Sequence, residues 1–219
     1  MNQLLPNVSP DFLPNLLLGM SVNFEIAAVA LMLGLALAVP LVLMRMGGGL
    51  AGGTAGLLVA LMRAAPTFVV MFFLLNAMAG GLGISGAMIV SVSLVPYAAA
   101  YIADSGVDAA REWRAGSRLA GLLFLPNVAR AFFVMVMSSS TGAAIGVKEG
   151  IAVILHQAEK ARGIGDMMVL FAIGIVCFGI PLQGGFAVIR LIQARLGQGS
   201  LPEEEAALTG EVTLPVEPT

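Results

Sequence analysis

Uncharged runs dominate the chain, and several of them match the length of a membrane-crossing helix. Residues 26–44, 64–103 and 167–189 contain no Asp, Glu, Lys or Arg, and residues 119–147 contain only Arg130. A helix needs about 20 apolar residues to cross the hydrocarbon core of a bilayer. The run 64–103 is too long for one such helix, and the glycine-rich segment 80–86 supplies a turn in its middle. We therefore predict an all-α fold with five transmembrane helices, at about 14–44, 56–79, 84–104, 119–143 and 167–190.

The segment 46–62 is apolar but interrupted by Gly47-Gly48-Gly49 and Gly52-Gly53. Glycine pairs allow close packing or a bend. We interpret this segment as a cytoplasmic turn that runs into the second helix, and not as a sixth span. Beyond its first residue, each predicted helix also contains one proline, which permits a kink inside a membrane. These are Pro40, Pro66, Pro96, Pro126 and Pro181.

Composition narrows the class of protein. Hydrophobic residues make up 58% of the chain and charged residues 11%, against about 45–50% and 25% in soluble globular proteins. The mean hydropathy is +0.96. So few charges exclude a cytosolic enzyme with a solvated surface, a disordered chain and a nucleic-acid-binding module. The single cysteine, Cys177, excludes an internal disulfide and a cysteine-cluster zinc site.

The formal net charge of −2 conceals two regions of opposite sign. Residues 197–219 carry five glutamates and no base, whereas residues 1–196 carry 8 acids and 11 bases. We therefore divide the chain into a transmembrane domain, 1–196, and an acidic cytoplasmic tail, 197–219. The tail is rich in Pro, Gly and Thr and is predicted to be disordered. A partner-binding segment is the alternative for the tail.

Basic residues orient the predicted helices. Seven lie on one side, namely Arg45, Arg63, Arg111, Arg114, Arg118, Arg190 and Arg195, against Lys148, Lys160 and Arg162 on the other. Cytoplasmic loops carry the excess of Lys and Arg. We therefore expect the N-terminus outside and the C-terminus in the cytoplasm. Residues 1–15 have no basic n-region, so a cleavable signal peptide is not expected.

No catalytic or metal-binding constellation is visible. His156 is the only histidine, and Cys177 lies in an apolar span, where it packs as a small hydrophobic side chain. The glycines of 47–53 are not followed by the Lys-Ser/Thr that would hold phosphates. We expect no catalytic residue, no metal and no cofactor on this chain. If ATP is used, another chain binds it.

Polar residues within the spans are candidates for a solute pathway, because charge in hydrocarbon is costly and usually faces protein or water. Glu25 lies near Asn23 in the first predicted helix, and Asn76 lies in the second. Ser138 is the first of four consecutive hydroxyl residues in the fourth helix, and Lys148 follows that helix. We predict that Glu25, Asn76, Ser138 and Lys148 line the pathway. Alternatively, Glu25 is hydrated at the interface, the hydroxyls bond to their own helix, and Lys148 snorkels outward.

Six motifs occur in a recognisable order: Leu16-Leu17-Leu18-Gly19, Arg63-Ala64-Ala65-Pro66, Ala100-Tyr101-Ile102-Ala103-Asp104, Leu125-Pro126-Asn127-Val128-Ala129-Arg130, Lys148 with Ile151 to Leu155 and Glu159, and the basic end Arg190 to Leu196. Together they resemble the five-helix permease subunits of ATP-binding-cassette (ABC) importers, specifically the polar amino acid group. The resemblance implies a type I permease fold over about residues 13–196. It also implies a second permease, a pair of ATPases that bind ATP and Mg, and an extracytoplasmic solute-binding protein.

The chain departs from this family between the third and fourth helices. Only residues 105–124 separate Asp104 from Leu125, about a dozen fewer than the family's coupling helix needs. Either Asp108-Ala109-Ala110 stands for the family's Glu-Ala-Ala, or Gly116-Ser117 stands for its Gly-Gln. We predict that the loop 104–118 docks on an ATPase subunit through residues that surround the single tryptophan: Asp108, Trp113, Arg114, Gly116 and Arg118. The shortened loop suggests that the second permease is a different chain with a stronger coupling helix.

The sequence thus favours a permease subunit of a bacterial inner-membrane importer for an amino acid or similar small polar solute, surrounded by membrane lipid and binding no nucleic acid. The chain itself is not expected to be an enzyme. One alternative is a non-transporting scaffold or assembly subunit derived from a permease. Another is an ion-coupled secondary carrier in which Glu25 or Asp104 titrates, although no internal repeat of the kind common in carriers is present.

Overall fold

A computed structural model of the chain describes residues 10–78, 83–116 and 120–197. The described residues form helices and connecting segments, without a β-strand: α1 (Phe12–Gly47), α2 (Gly49–Ala64), α3 (Thr67–Met78), α4 (Gly86–Arg114), α5 (Ala120–Ser138), a 3₁₀ helix (Ser139–Ile145), α6 (Gly150–Ala158) and α7 (Ile164–Gly197). The predicted all-α membrane fold is confirmed. Apart from Gly197, the predicted tail lies outside the described residues.

Four helical segments in the described residues are long and apolar enough to cross a membrane: α1, α4, Phe124–Ile145 and Ile164–Arg195. The pair α2–α3 provides a fifth if it is counted as one span, although its two halves are bent by 88°. The structure therefore gives four or five candidate spans, a range that includes the predicted five, but the prediction of one continuous second helix at 56–79 is wrong. Pro66 causes the break, since the residue before a proline avoids the helical conformation; Ala65 is extended, with ψ 116°.

The predicted turn at 46–62 is also wrong for most of its length. One residue between helices, Gly48, separates α1 from α2, and Gly48 and Gly49 have φ values of 68° and 61°. These left-handed values suit glycine because it has no Cβ. The two residues complete the change of direction, so the Ala- and Leu-rich remainder is free to form a helix.

Helix α4 extends well past its predicted end at residue 104. Ser85 caps its N-terminus, because the Ser85 hydroxyl accepts a hydrogen bond from the Met88 amide at 3.2 Å, and the helix continues to Arg114. The predicted loop 104–118 is therefore helical up to Arg114. Arg111 and Arg114 in the last turn favour the helix C-terminus, and the chain leaves it at Gly116, with φ 92°.

The core is centred on α1 and α4, which approach closely through small residues. A Cβ on Gly34 would lie 2.5 Å from the Cβ of Ala98, and one on Gly106 would lie 2.9 Å from Val42 Cγ2. Such small residues permit the close backbone contact that stabilises helices in membranes. The contacts pair the later part of α1 with the later part of α4, so Asp104 lies at the end of the bundle where α1 finishes.

A second cluster closes the opposite end of the bundle. Phe12 and Leu16 of α1 pack with Ile154 of α6 and Leu170 of α7. Helix α6 has 9 residues and is about 14 Å long, which is too short to cross a bilayer. It therefore lies at this end, beside the beginnings of α1 and α7. We refer to the two ends of the bundle as the Asp104 end and the Glu149 end.

Candidate functional site

A buried polar cluster joins three segments near the Glu149 end. The Asn23 side-chain amide of α1 donates to Ser139 Oγ at 2.8 Å and to Glu149 Oε2 at 2.9 Å. In return, Asn23 Oδ1 accepts a hydrogen bond from the Gly150 amide at 2.9 Å. All three side chains are fully buried. The cluster thus connects α1, the 3₁₀ helix and the start of α6 across more than a hundred residues of sequence.

Glu149 also caps α6. Its carboxylate accepts hydrogen bonds from the Ile151 amide at 2.8 Å and from the Ala152 amide at 2.9 Å. These amides belong to the first turn of α6, whose donors have no partner within the helix. Glu149 lies in the connection between two spans, and burial raises the pKa of its carboxyl despite these hydrogen bonds.

Two glycines allow the cluster to form. A Cβ on Gly19 would lie 2.8 Å from the backbone of Glu149 and Gly150, and a Cβ on Gly150 would lie 2.7 Å from the Phe178 ring. Atoms cannot approach to such short distances unless the backbone or the ring moves. The absence of a Cβ at Gly19 therefore allows the 149–150 backbone to contact α1, and its absence at Gly150 allows the Phe178 ring of α7 to pack there.

An open cavity of about 680 Å³ lies beside this cluster, between α1 and α6. Its polar lining consists of Asn15, Lys148 and His156, and its apolar lining comes from Leu18, Val22 and Val153 among others. His156 Nδ1 is 3.6 Å from Glu159 Oε2. The cavity combines a cationic edge with apolar walls, the arrangement that suits a small polar molecule.

The four residues predicted for a pathway occupy different environments. Lys148 lines the cavity. Glu25 is exposed and lies three residues after Val22, so it falls on the face of α1 that borders the cavity. Ser138 is half-buried. Asn76 is exposed and donates to the Phe72 carbonyl of its own helix at 2.7 Å. The pathway role of all four stays a prediction.

Sequence reasoning missed the buried cluster by one or two positions. It selected Glu25, Ser138 and Lys148, whereas Asn23, Ser139 and Glu149 are the residues that meet. Glu149 could have been identified as an N-cap, because a side-chain acceptor followed by an apolar run is a helix-start signal. The pairing of Asn23 with Ser139 depends on the rotation of α1 and α5, which sequence periodicity does not define to one residue.

A second polar site holds the Asp104 end together. Arg45 Nη1 of α1 lies 2.5 Å from Asp104 Oδ1, and Arg63 Nη2 at the end of α2 contacts Asp104 Oδ2. The exposed fraction of the side chain is 26% for Arg45, 57% for Arg63 and 30% for Asp104. From the sequence, Arg45 contributes to the topology and Arg63 to the topology and one motif, and neither arginine is predicted to contact Asp104.

Beyond Asp104, α4 and α5 form an antiparallel hairpin. Trp113 is 70% exposed near its tip, Arg114 and Gly116 are exposed beside it, and Asp108 Oδ1 lies 4.0 Å from Arg111 Nη1. A groove of about 380 Å³ runs between the helices and is lined by Gly106, Ala109, Ala110, Trp113, Arg114 and Phe124. Arg118 lies outside the described residues. In the described part of the chain, no separate helix intervenes between α4 and α5.

Comparison with known proteins supports the fold but not a closer relationship. No family model matches the sequence, and no curated protein matches it. Among solved structures, a chain of an amino acid ABC transporter with histidines is similar, with a TM-score of 0.65 and 17% identity; the match covers 86% of this chain and all of the other. A chain of the inward-facing MetNI methionine ABC transporter is similar with a TM-score of 0.62 and 19% identity, covering 84% and 99%. The chain therefore has the fold of ABC transporter permeases.

Proposed function

We propose that this protein is the permease subunit of an ATP-driven importer. One observation carries the proposal: a chain with the ABC permease fold over 86% of its length has an open, partly polar cavity between α1 and α6. A structural helix bundle has no need for such a cavity, whereas a permease needs a place where a solute enters. ATP and Mg bind to a partner ATPase, and this chain hydrolyses nothing.

We propose an amino acid, or a similarly small polar molecule, as the solute. Lys148 offers a cation at the edge of the cavity, and Glu25 offers an anion on the same face of α1, about 4.5 Å further along the helix axis than Val22. Opposite charges on one path match the carboxylate and ammonium groups of an amino acid. One of the two similar transporters is described as an amino acid transporter and the other as a methionine transporter, which agrees with this class.

The proposed assembly has further members and a fixed orientation. We propose a second permease of different sequence, a pair of ATPases and an extracytoplasmic solute-binding protein, in a bacterial inner membrane. The Asp104 end faces the cytoplasm, because Arg45, Arg63, Arg111 and Arg114 gather there and basic residues favour the cytoplasmic side. The cavity at the Glu149 end then opens toward the solute-binding protein.

The length of α4 favours a second candidate function. Because α4 continues without a break to Arg114 and α5 begins at Ala120, the chain lacks room for a transverse coupling helix. A non-transporting scaffold subunit would need no coupling element. We retain this function as the alternative, and it predicts that the lining of the cavity is irrelevant to uptake.

The test is solute uptake by cells that express the complete complex with single substitutions in this chain. We expect Lys148→Ala and Glu25→Gln each to reduce uptake at least tenfold, as a lost contact of about 1.4 kcal/mol would. Lys160→Ala is the matched control, since Lys160 is exposed at the same end but does not line the cavity. Unchanged uptake in both variants, with normal amounts of complex, would leave the scaffold function.

A further inference from the structure

Helix α2 presents two apolar faces, of which the protein covers only one. Ala55 and Val59 are buried in the main core. The opposite side, here called the leucine face, carries Leu50, Leu57, Leu58 and Leu61, which are 92%, 63%, 45% and 61% exposed. The spacing of these leucines places them on one side of a helix with 3.6 residues per turn.

No charge accompanies the leucine face. Arg63 is the single charged residue of α2, and Thr54, which lies among the leucines, donates its hydroxyl to the Ala51 carbonyl at 2.9 Å. A continuous apolar surface of this kind marks a contact with protein or with membrane. A docking surface for a water-soluble ATPase would carry polar or charged residues at its rim.

The ion triad defines how α2 lies in the bundle. Arg45 precedes α2 by one turn and Arg63 ends it, yet both guanidinium groups meet the same carboxylate, that of Asp104. The two ends of α2 therefore lie at a similar depth. Helix α3 then leaves at 88° to α2. If α3 follows the other spans through the bilayer, α2 runs parallel to the membrane surface.

Helix α4 shows on which side of the bundle α2 lies. It continues from Asp104 to Arg114, about 15 Å further, so α2 packs against the flank of α4 and not beneath its tip. The leucine face consequently points sideways, toward the level where lipid headgroups meet acyl chains. A helix with an apolar face at this depth binds the interface in proportion to the apolar area that it buries.

We propose that α2 is an interfacial helix that inserts its leucine face into the leaflet at the Asp104 end. The pair of arginines against one carboxylate leaves the triad with a net positive charge, which favours anionic headgroups nearby. In this arrangement α2 lies on the surface, and α3, whose 12 residues are about 18 Å long, enters the bilayer from it. The inference concerns membrane binding and does not depend on transport.

The test measures the depth of nitroxide labels on single cysteines in a Cys177→Ala background. The full chain with its partners is reconstituted in vesicles of phosphatidylethanolamine and phosphatidylglycerol. Labels replace Leu57 and Leu61 on the leucine face, Phe73 as a reference in α3 and Glu159 as a reference in water. Phe73 is 70% exposed in α3, and Glu159 is exposed at the Glu149 end, away from the predicted ATPase contact.

We expect oxygen, which dissolves in lipid, to relax the labels at Leu57 and Leu61 several-fold more than a water-soluble nickel complex does. Their depth should fall between those of Phe73 and Glu159. Nickel accessibility equal to that at Glu159 would overturn the proposal, because the face would then lie in water. Protection from both reagents would also overturn it, since a second permease or the ATPase would then cover the leucine face.

Discussion

The most sharply defined consequence of the structure concerns Asn23, which holds the α1–α6 connection. Asn23→Ala removes three hydrogen bonds at once: those to Ser139 and to Glu149, and the one received from Gly150. The Glu149 carboxylate keeps the Ile151 and Ala152 amides. The Gly150 amide, in contrast, loses the acceptor Asn23 Oδ1 at a buried position.

The magnitude follows from these contacts. Hydrogen bonds between membrane helices average about 0.6 kcal/mol and reach about 1.7 kcal/mol. A buried donor left without an acceptor costs about 1–3 kcal/mol. Because one of the lost bonds ends on a carboxylate and one leaves the Gly150 amide unpaired, we expect Asn23→Ala to lower the free energy of unfolding by about 3 kcal/mol.

The assay is reversible unfolding of the purified chain in mixed micelles with increasing denaturing detergent. Ser21→Ala is the matched control: Ser21 is an exposed residue of the same helix, and its hydroxyl bonds to the Leu18 carbonyl at 2.7 Å. We expect that control to change the stability by less than about 0.5 kcal/mol. If Asn23→Ala were no more destabilising than Ser21→Ala, the buried cluster would not hold α6 to α1, and the reasoning would be refuted.

Three further predictions follow from the two ends of the bundle. Asp104→Asn leaves Arg45 and Arg63 without a counter-charge, and since the side chains are partly exposed we expect the free energy of unfolding to fall by about 1–2 kcal/mol. The double variant with Arg45→Gln should show coupling between the two substitutions, and simple additivity of their effects would contradict the triad. The double variant Trp113→Ala, Arg114→Ala should weaken docking of this chain on the ATPase subunit by about 2 kcal/mol or more and abolish stimulation of ATP hydrolysis in the reconstituted complex. Unchanged stimulation would mean that coupling runs through the other permease. Single cysteines at Glu112 and Glu159, both exposed, should react with an impermeant reagent from opposite sides of the membrane, Glu159 from outside. Reaction from one side would contradict the single span, Phe124–Ile145, that lies between the two positions.

The helical membrane fold was predictable because the signal is physical and long-range. Runs such as 26–44 and 167–189 are too apolar for water and long enough for a bilayer. Local breaks were less predictable. Pro66 marks the break between α2 and α3. Prolines also occur inside helices that do not break, such as Pro40 in α1 and Pro96 in α4. Which proline breaks a helix depends on packing that single-sequence reasoning does not contain.

The candidate site was predictable as a region but not as a set of residues. Polarity at membrane depth identified the neighbourhood of Asn23, Ser138 and Lys148. The actual cluster of Asn23, Ser139 and Glu149 depends on the rotation of α1 and the 3₁₀ helix about their axes, and on the backbone contact at Gly19. The Asp104 triad was missed for a similar reason, since Arg45 and Arg63 meet only because α2 lies between them as a helix.

The central claim, that the chain is a permease of an ATP-driven importer, is tested most directly by transport in proteoliposomes. The chain is purified with its copurifying subunits and reconstituted, and the uptake of labelled amino acids is measured with and without ATP. The account predicts uptake that requires ATP, stops when this chain is omitted, and falls at least tenfold with Lys148→Ala but not with Lys160→Ala. Equal uptake without this chain, or copurification without any ATPase, would contradict it.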